Sequence, residues 1–231
     1  MKTLRILVLF SMVSLVANQQ SKASLTDIIL NPGLPDLTGS SMNVNYTAGS
    51  GAFVASGSTT DYNTSGGDVG VTTFDSYILS ATINNGGNLT SGTLTIKGGV
   101  GGGSDVTLLT GSLITGAAGT AFGYGDGANE LFQFLFTVSG GSLESAFGGS
   151  GAAGGIILSA EFAGNPGDTP FTGSWASSFN NNGINGPNGV IDSFAVPEPS
   201  SILSSILCSI LLVAAGVSRL VARRRLNASR A

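Results

Sequence analysis

Histidine is missing from this 231-residue chain, and cysteine occurs once, at Cys208 in an apolar run near the C-terminus. Imidazole and paired-thiolate metal sites, and every histidine-dependent triad, are thereby excluded. Charge is scarce too. Asp, Glu, Lys and Arg make up 10% of the residues, too few for the charged faces of a long helix or coiled coil. Glycine, in contrast, occurs 36 times, about twice its usual share. Hydrophobic residues reach 42% but gather in short runs split by Gly, Ser, Thr and Asn, so strands rather than helices bury the core. The length fits one domain.

The two ends differ from the middle. Lys2 and Arg5 precede the apolar run Ile6 to Val16, and a polar stretch closes on Ser21-Lys22-Ala23. This is the anatomy of a secretory signal peptide. The apolar run spans about 16 Å as a helix, too short for roughly 30 Å of hydrocarbon. Residues 1–23 are expected to be removed by signal peptidase between Ala23 and Ser24, with cleavage after Ala17 as the alternative. At the other end, Ile202 to Ser218 carries no charge, and Arg219, Arg223, Arg224, Arg225 and Arg230 follow. One transmembrane helix is expected over about 202–222, with Arg219 reaching toward the head groups. Arg223, Arg224 and Arg225 act as the cytoplasmic stop, and 226–231 forms a short cytoplasmic tail.

This division concentrates the charge. Lys97 is the only cation between Lys22 and Arg219, whereas all 13 acidic residues fall between Asp27 and Glu198. An exposed region of that sign repels nucleic acid and anionic lipid, so neither is expected as its partner.

Immediately before the apolar run stands Val196-Pro197-Glu198-Pro199-Ser200-Ser201. The two prolines fix their own φ and bias the preceding residues toward extended backbone, giving a stiff stalk with one carboxylate at the membrane edge. The order of Pro-Glu-Pro, apolar helix and arginines over residues 196–225 resembles the PEP-CTERM sorting signal of Gram-negative bacteria. The resemblance implies that the chain is a substrate of exosortase, a membrane sorting enzyme, which recognises Pro197, Glu198 and Pro199. It further implies transient anchoring in the inner membrane, transfer to the cell surface or matrix, and association with exopolysaccharide and biofilm.

Residues 24–195 read as one extracytoplasmic β domain. Strands are predicted at Leu25 to Leu30, Met42 to Thr47, Gly51 to Ser56, Val69 to Phe74, Tyr77 to Ile83, Thr93 to Lys97, Val106 to Thr115, Glu130 to Val138, Ile156 to Phe162, Thr172 to Phe179 and Val190 to Phe194. Tyr77 to Lys97 reads as a hairpin turning at Asn84 to Asn88, residues that tolerate positive φ. Phe132, Phe134 and Phe136, spaced by two, place three rings on the core face of a central strand. Gly148 to Gly155 reads as a loop too rich in glycine for a strand. About ten strands without helical periods predict an all-β, two-sheet sandwich of jelly-roll type rather than a small barrel.

Chemistry is sparse. The glycine runs Gly98 to Gly103 and Gly148 to Gly155 lack the Lys-Ser/Thr and following helix of a phosphate loop, and read as turns. Asp126, Asn129 and Glu130, with Asp168 and Asp192, resemble calcium ligands in type but not in spacing. No catalytic residue, metal ligand or cofactor is expected, and the chain reads as non-enzymatic. The alternative is a secreted carbohydrate-binding or carbohydrate-hydrolysing domain using a carboxylate pair and the lone Trp175.

Overall fold

A computed structural model describes residues 34–116, 122–125, 129–162, 166–183 and 186–196. Their strands are β1 (Asp36–Thr47), β2 (Ala52–Thr64), β3 (Gly67–Asp68), β4 (Val71–Ile83), β5 (Leu89–Val100), β6 (Val106–Leu113), β7 (Phe122–Gly125), β8 (Asn129–Gly140), β9 (Ala153–Glu161), β10 (Phe179–Asn180) and β11 (Asn188–Ala195). The expected strand at Leu25 to Leu30 and the expected transmembrane helix lie outside the described residues.

Eight long strands follow one another around a ring in the order β1, β2, β4, β5, β6, β8, β9, β11, all antiparallel. The last pairs back on the first, from Asp36↔Phe194 to Ser40↔Val190. The domain is therefore a closed eight-stranded antiparallel barrel, and this overturns the two-sheet jelly-roll expectation. Alternating inward and outward residues look the same in a sandwich and in a barrel. What decides is the long-range pairing of β11 with β1, which removes the open edges a sandwich would keep.

The short strands explain why the strand count suggested a sandwich. Along β8, β6 ends at Leu113↔Phe136, the Ile114 amide donates to the Leu135 carbonyl, and β7 resumes at Phe122↔Gln133. Along β1, β11 ends at Ser40↔Val190 and β10 takes up the ladder at Asn45↔Asn180. Two walls of the barrel are thus single strands interrupted by an excursion. Buried Asn181 fills the second gap: its Oδ1 accepts from the Val44 amide at 2.6 Å and its Nδ2 donates to the Met42 carbonyl at 3.0 Å. The side chain replaces ladder bonds that the departing backbone no longer makes.

An eight-stranded barrel is just wide enough for its own side chains. Phe132, Phe134 and Phe136 all point inward and are buried, as their spacing predicts. Phe136 lies over glycine on both neighbouring strands. A Cβ at Gly154 would fall 2.2 Å from its Cζ, and one at Gly111 would fall 2.5 Å from its Cδ2. β9 therefore begins at Ala153 and carries Gly154 and Gly155 opposite Phe136 and Leu135, correcting the expectation that Gly148 to Gly155 is all loop. Likewise β5 extends through Gly98 to Val100, so only the rest of that glycine run turns.

Both ends of the barrel are filled. At the end where β8 leads into β9, the segment between them inserts Phe147, which is buried. At the opposite end, residues 166–178 form a cap that inserts Phe171 and Trp175. Thr172 to Phe179 was expected to be strand throughout; only its last residue is, in the two-residue strand Phe179–Asn180. Propensity favoured extended backbone there, but burial of the two large rings decides the conformation.

Tyr77 crosses the interior. From β4 its ring passes over Gly39 of β1, where a Cβ would come within 2.8 Å of Cδ2, and its hydroxyl meets the Ser193 hydroxyl on β11. Tyr77→Phe leaves a buried hydroxyl without its partner, and is expected to cost about 1–3 kcal/mol in urea unfolding. Adding Ser193→Ala should recover most of that loss. Burial pushes the Tyr77 hydroxyl far above its ordinary value of 10.0, with the Ser193 bond opposing and Asp192 adding to the rise. The fold thus favours the protonated form. Its contribution is full below about pH 10, where the unfolded phenol starts to ionise, and is lost as pH rises further. Alkaline unfolding should therefore be shallower in Tyr77→Phe.

Candidate functional site

The residues singled out by sequence separate in space. Trp175 is 7% exposed and packs in the cap, with ring centroids 5.1 Å from both Tyr46 and Phe171. Its ring offers no open face for sugar stacking. Of the acidic set, Asp126 lies outside the described residues. Glu130 shares the inward face of β8 with Phe132 and is 2% exposed. Asp192 faces outward on β11, since inward Ile191 and Ser193 flank it. Asp168 belongs to the cap, where its Oδ1 accepts from the Gly183 amide. Asp192 lies outside the barrel wall and Glu130 inside it, so the set does not converge on one calcium site. Among the described residues no three His, Cys, Asp or Glu are placed to hold a metal ion.

The residues expected to form the sorting signal (Pro197, Glu198 and Pro199), the cytoplasmic stop (Arg223, Arg224 and Arg225) and the cleavage pair (Ala23 and Ser24) lie outside the described residues. Val196, the last described residue before the motif, donates its amide to the Ala153 carbonyl, and Ala195 donates to Pro35. Both ends of the barrel chain therefore meet on one side of it. No helix among the described residues is long and apolar enough to cross a membrane.

Carboxylates gather on the outer wall near those chain ends. Thr38 of β1 is flanked across the ladder by Asp61 of β2 and Asp192 of β11, with Asp36 two residues before it on the same face. Partial burial holds the Asp192 carboxyl above its ordinary value; the Thr38 hydrogen bond opposes this and Asp36 adds to it. The fold therefore favours protonated Asp192. That contribution is full below about pH 3.8, the ordinary value, and is lost as pH rises through the folded value. Asp192→Asn is expected to raise the thermal midpoint at pH 7 and to leave it unchanged at pH 3, as calorimetry at the two pH values will show.

A groove opens on the rim at the capped end. It has a volume of about 550 Å³ and lies between the β1–β2 and β4–β5 turns, lined by Ser50, Gly51, Thr82, Asn84, Asn85 and Thr90 among others. No lining residue is charged. The Ile83 amide donates to the Gly51 carbonyl at 2.8 Å and joins the two turns. Gly51 has a φ of +70°, and a Cβ there would fall 2.6 Å from the Ile83 carbonyl oxygen, so the close approach requires glycine. Asn84 Oδ1 accepts from the Gly86 and Asn88 amides, both at 3.0 Å, which stiffens the β4–β5 turn. Against family models, curated proteins and solved structures, the chain finds no match.

The groove lines up amide, hydroxyl and backbone groups without an acid, base or nucleophile of altered reactivity. Sequence reading placed Asn84 to Asn88 correctly as a hairpin turn. It missed that the β1–β2 turn, some 35 residues earlier, lies beside it. Only the β2–β4 pairing brings the two together.

Proposed function

We propose that this chain is an exported, non-enzymatic surface protein: a barrel module delivered to the cell surface or extracellular matrix by a PEP-CTERM tail acting as an exosortase substrate. The observation that carries this reading is the order of Pro197-Glu198-Pro199, the uncharged run from Ile202 and the arginines ending at Arg225. Two features of the barrel support it. Its interior holds a continuous cluster of buried hydrophobic side chains, which suits a display module rather than a cleft enzyme. Its last strand also ends at Ala195, so few residues separate it from the apolar run. The proposed partners are signal peptidase, then exosortase, with exopolysaccharide in the matrix.

The test is fractionation of an epitope-tagged chain from hosts with and without exosortase. The tag belongs at Gly102, an exposed turn position with nothing within 4 Å of its Cβ position; insertion near Phe147 would disturb the plug. Glu198→Ala keeps the apolar run and the charge asymmetry that orients it, so that variant should be exported but remain membrane-bound. Wild-type chain should leave the membrane only where the enzyme is present. Uncleaved, membrane-bound chain in both hosts, unchanged by Glu198→Ala, would mean that the motif is an inert linker.

A further inference from the structure

The rim groove has chemistry of its own, independent of the tail. We propose that it binds neutral saccharide, a short stretch of uncharged, polyhydroxylated chain. Its volume of about 550 Å³ falls within the roughly 300–1,000 Å³ of small-ligand sites. Its lining selects by what it offers. With no charged side chain among the lining residues, an anion finds no cation and a cation no carboxylate. Among the lining side chains only Ala48 and the buried Ile83 are purely apolar. A sugar hydroxyl both donates and accepts, and so do the carboxamides, hydroxyls and glycine-exposed backbone present here.

The groups divide into scaffold and contact. Ser50 and Asn84 spend their oxygens within the turns: the Ser50 hydroxyl donates to the Thr47 carbonyl and Asn84 Oδ1 takes the two amides described above. The Thr90 hydroxyl donates to the Thr82 carbonyl at 3.0 Å. The exposed Asn85 carboxamide and Thr82 hydroxyl form no hydrogen bond to other described residues, and so remain available to a ligand. Because the scaffold is already set by the Ile83–Gly51 bond, binding need not order the turns, which lowers its entropic cost.

The experiment uses the full chain in a zwitterionic detergent that carries no sugar. Uncharged oligosaccharides (linear glucans, mannans and galactans) are titrated against ¹⁵N-labelled protein, with an oligouronate and glycerol as comparisons. At least one uncharged oligosaccharide should shift the amides of Gly49, Gly51, Asn85 and Gly86. The double variant Thr82→Val/Asn85→Ala, with an unchanged thermal midpoint, should weaken that ligand at least about tenfold, as expected from two lost hydrogen bonds. Asn85→Ser, which keeps a hydroxyl, should retain part of the affinity. The proposal is overturned if no uncharged oligosaccharide shifts these amides at millimolar concentration. It is also overturned if the shifts lie elsewhere on the barrel, or if oligouronate or glycerol binds equally well.

Discussion

Trp175→Ala should cost about 3–5 kcal/mol of stability, the range for truncating a large buried aromatic. Against a typical total of about 5–15 kcal/mol, that is a large share of the whole. Trp175 is the centre of the cap: its ring meets Tyr46, Phe53, Phe132, Phe171 and Phe179, with centroids 5.1 to 6.2 Å away. Its carbonyl also accepts from the Tyr46 hydroxyl at 2.9 Å. Removing the indole leaves a void among rings that belong to β1, β2, β8, β10 and the cap, none of which collapses alone. It also takes away the surface on which Gly87 rests, whose Cβ position is 2.8 Å from the indole Cδ1. Urea unfolding followed by far-ultraviolet circular dichroism gives the value. A loss under about 1 kcal/mol, well below that range, would show that the cap is not part of the cooperative core.

Gly154→Val should be comparably damaging for the opposite reason. A Cβ at that position lies inside the van der Waals radius of the Phe136 ring, at 2.2 Å from Cζ, and the ring is confined by Gly111 on its other side. Overpacking of this kind costs about 1–3 kcal/mol and more where nothing can move; a ring held between two strands puts Gly154→Val at or above the top of that range. Combining it with Phe136→Leu should return part of the loss, because the smaller side chain vacates the contested space. A coupling of at least about 0.5 kcal/mol is expected in the double-mutant cycle. Strict additivity would mean that the two positions do not share that space.

Local features of this fold were legible in the sequence where short-range pattern controls them. The Tyr77 to Lys97 hairpin is present, with Leu79 opposite Leu94 and the turn at Asn84 to Asn88. The inward run Phe132, Phe134, Phe136 is present for the same reason: period-two spacing fixes the face of a strand. Closure was not legible, because it rests on Asp36 meeting Phe194, a pairing that no local window contains. Nor was the strand character of Gly154 and Gly155. Low propensity pointed to a loop, while the glycines are required by the size of the ring opposite. Trp175 read more readily as a core or rim residue than as a sugar platform, and it is buried. The decision came from the cap that carries it, which joins β9 to β10 and buries it against rings distant in sequence. The rim groove was hidden likewise, since its two turns become neighbours only through the ladder between β2 and β4.

The most direct test of the central claim is the intact mass of the chain recovered from the cell surface or surrounding matrix of its own host. One spectrum reads both ends. An exported and sorted barrel should begin at Ser24 and end within the stalk at residues 196–201, without the apolar run or the arginines. A surface chain that still starts at Met1, or that extends to Ala231, would contradict the account: the first would remove the export argument, and the second would reduce the Pro197-Glu198-Pro199 motif to a spacer.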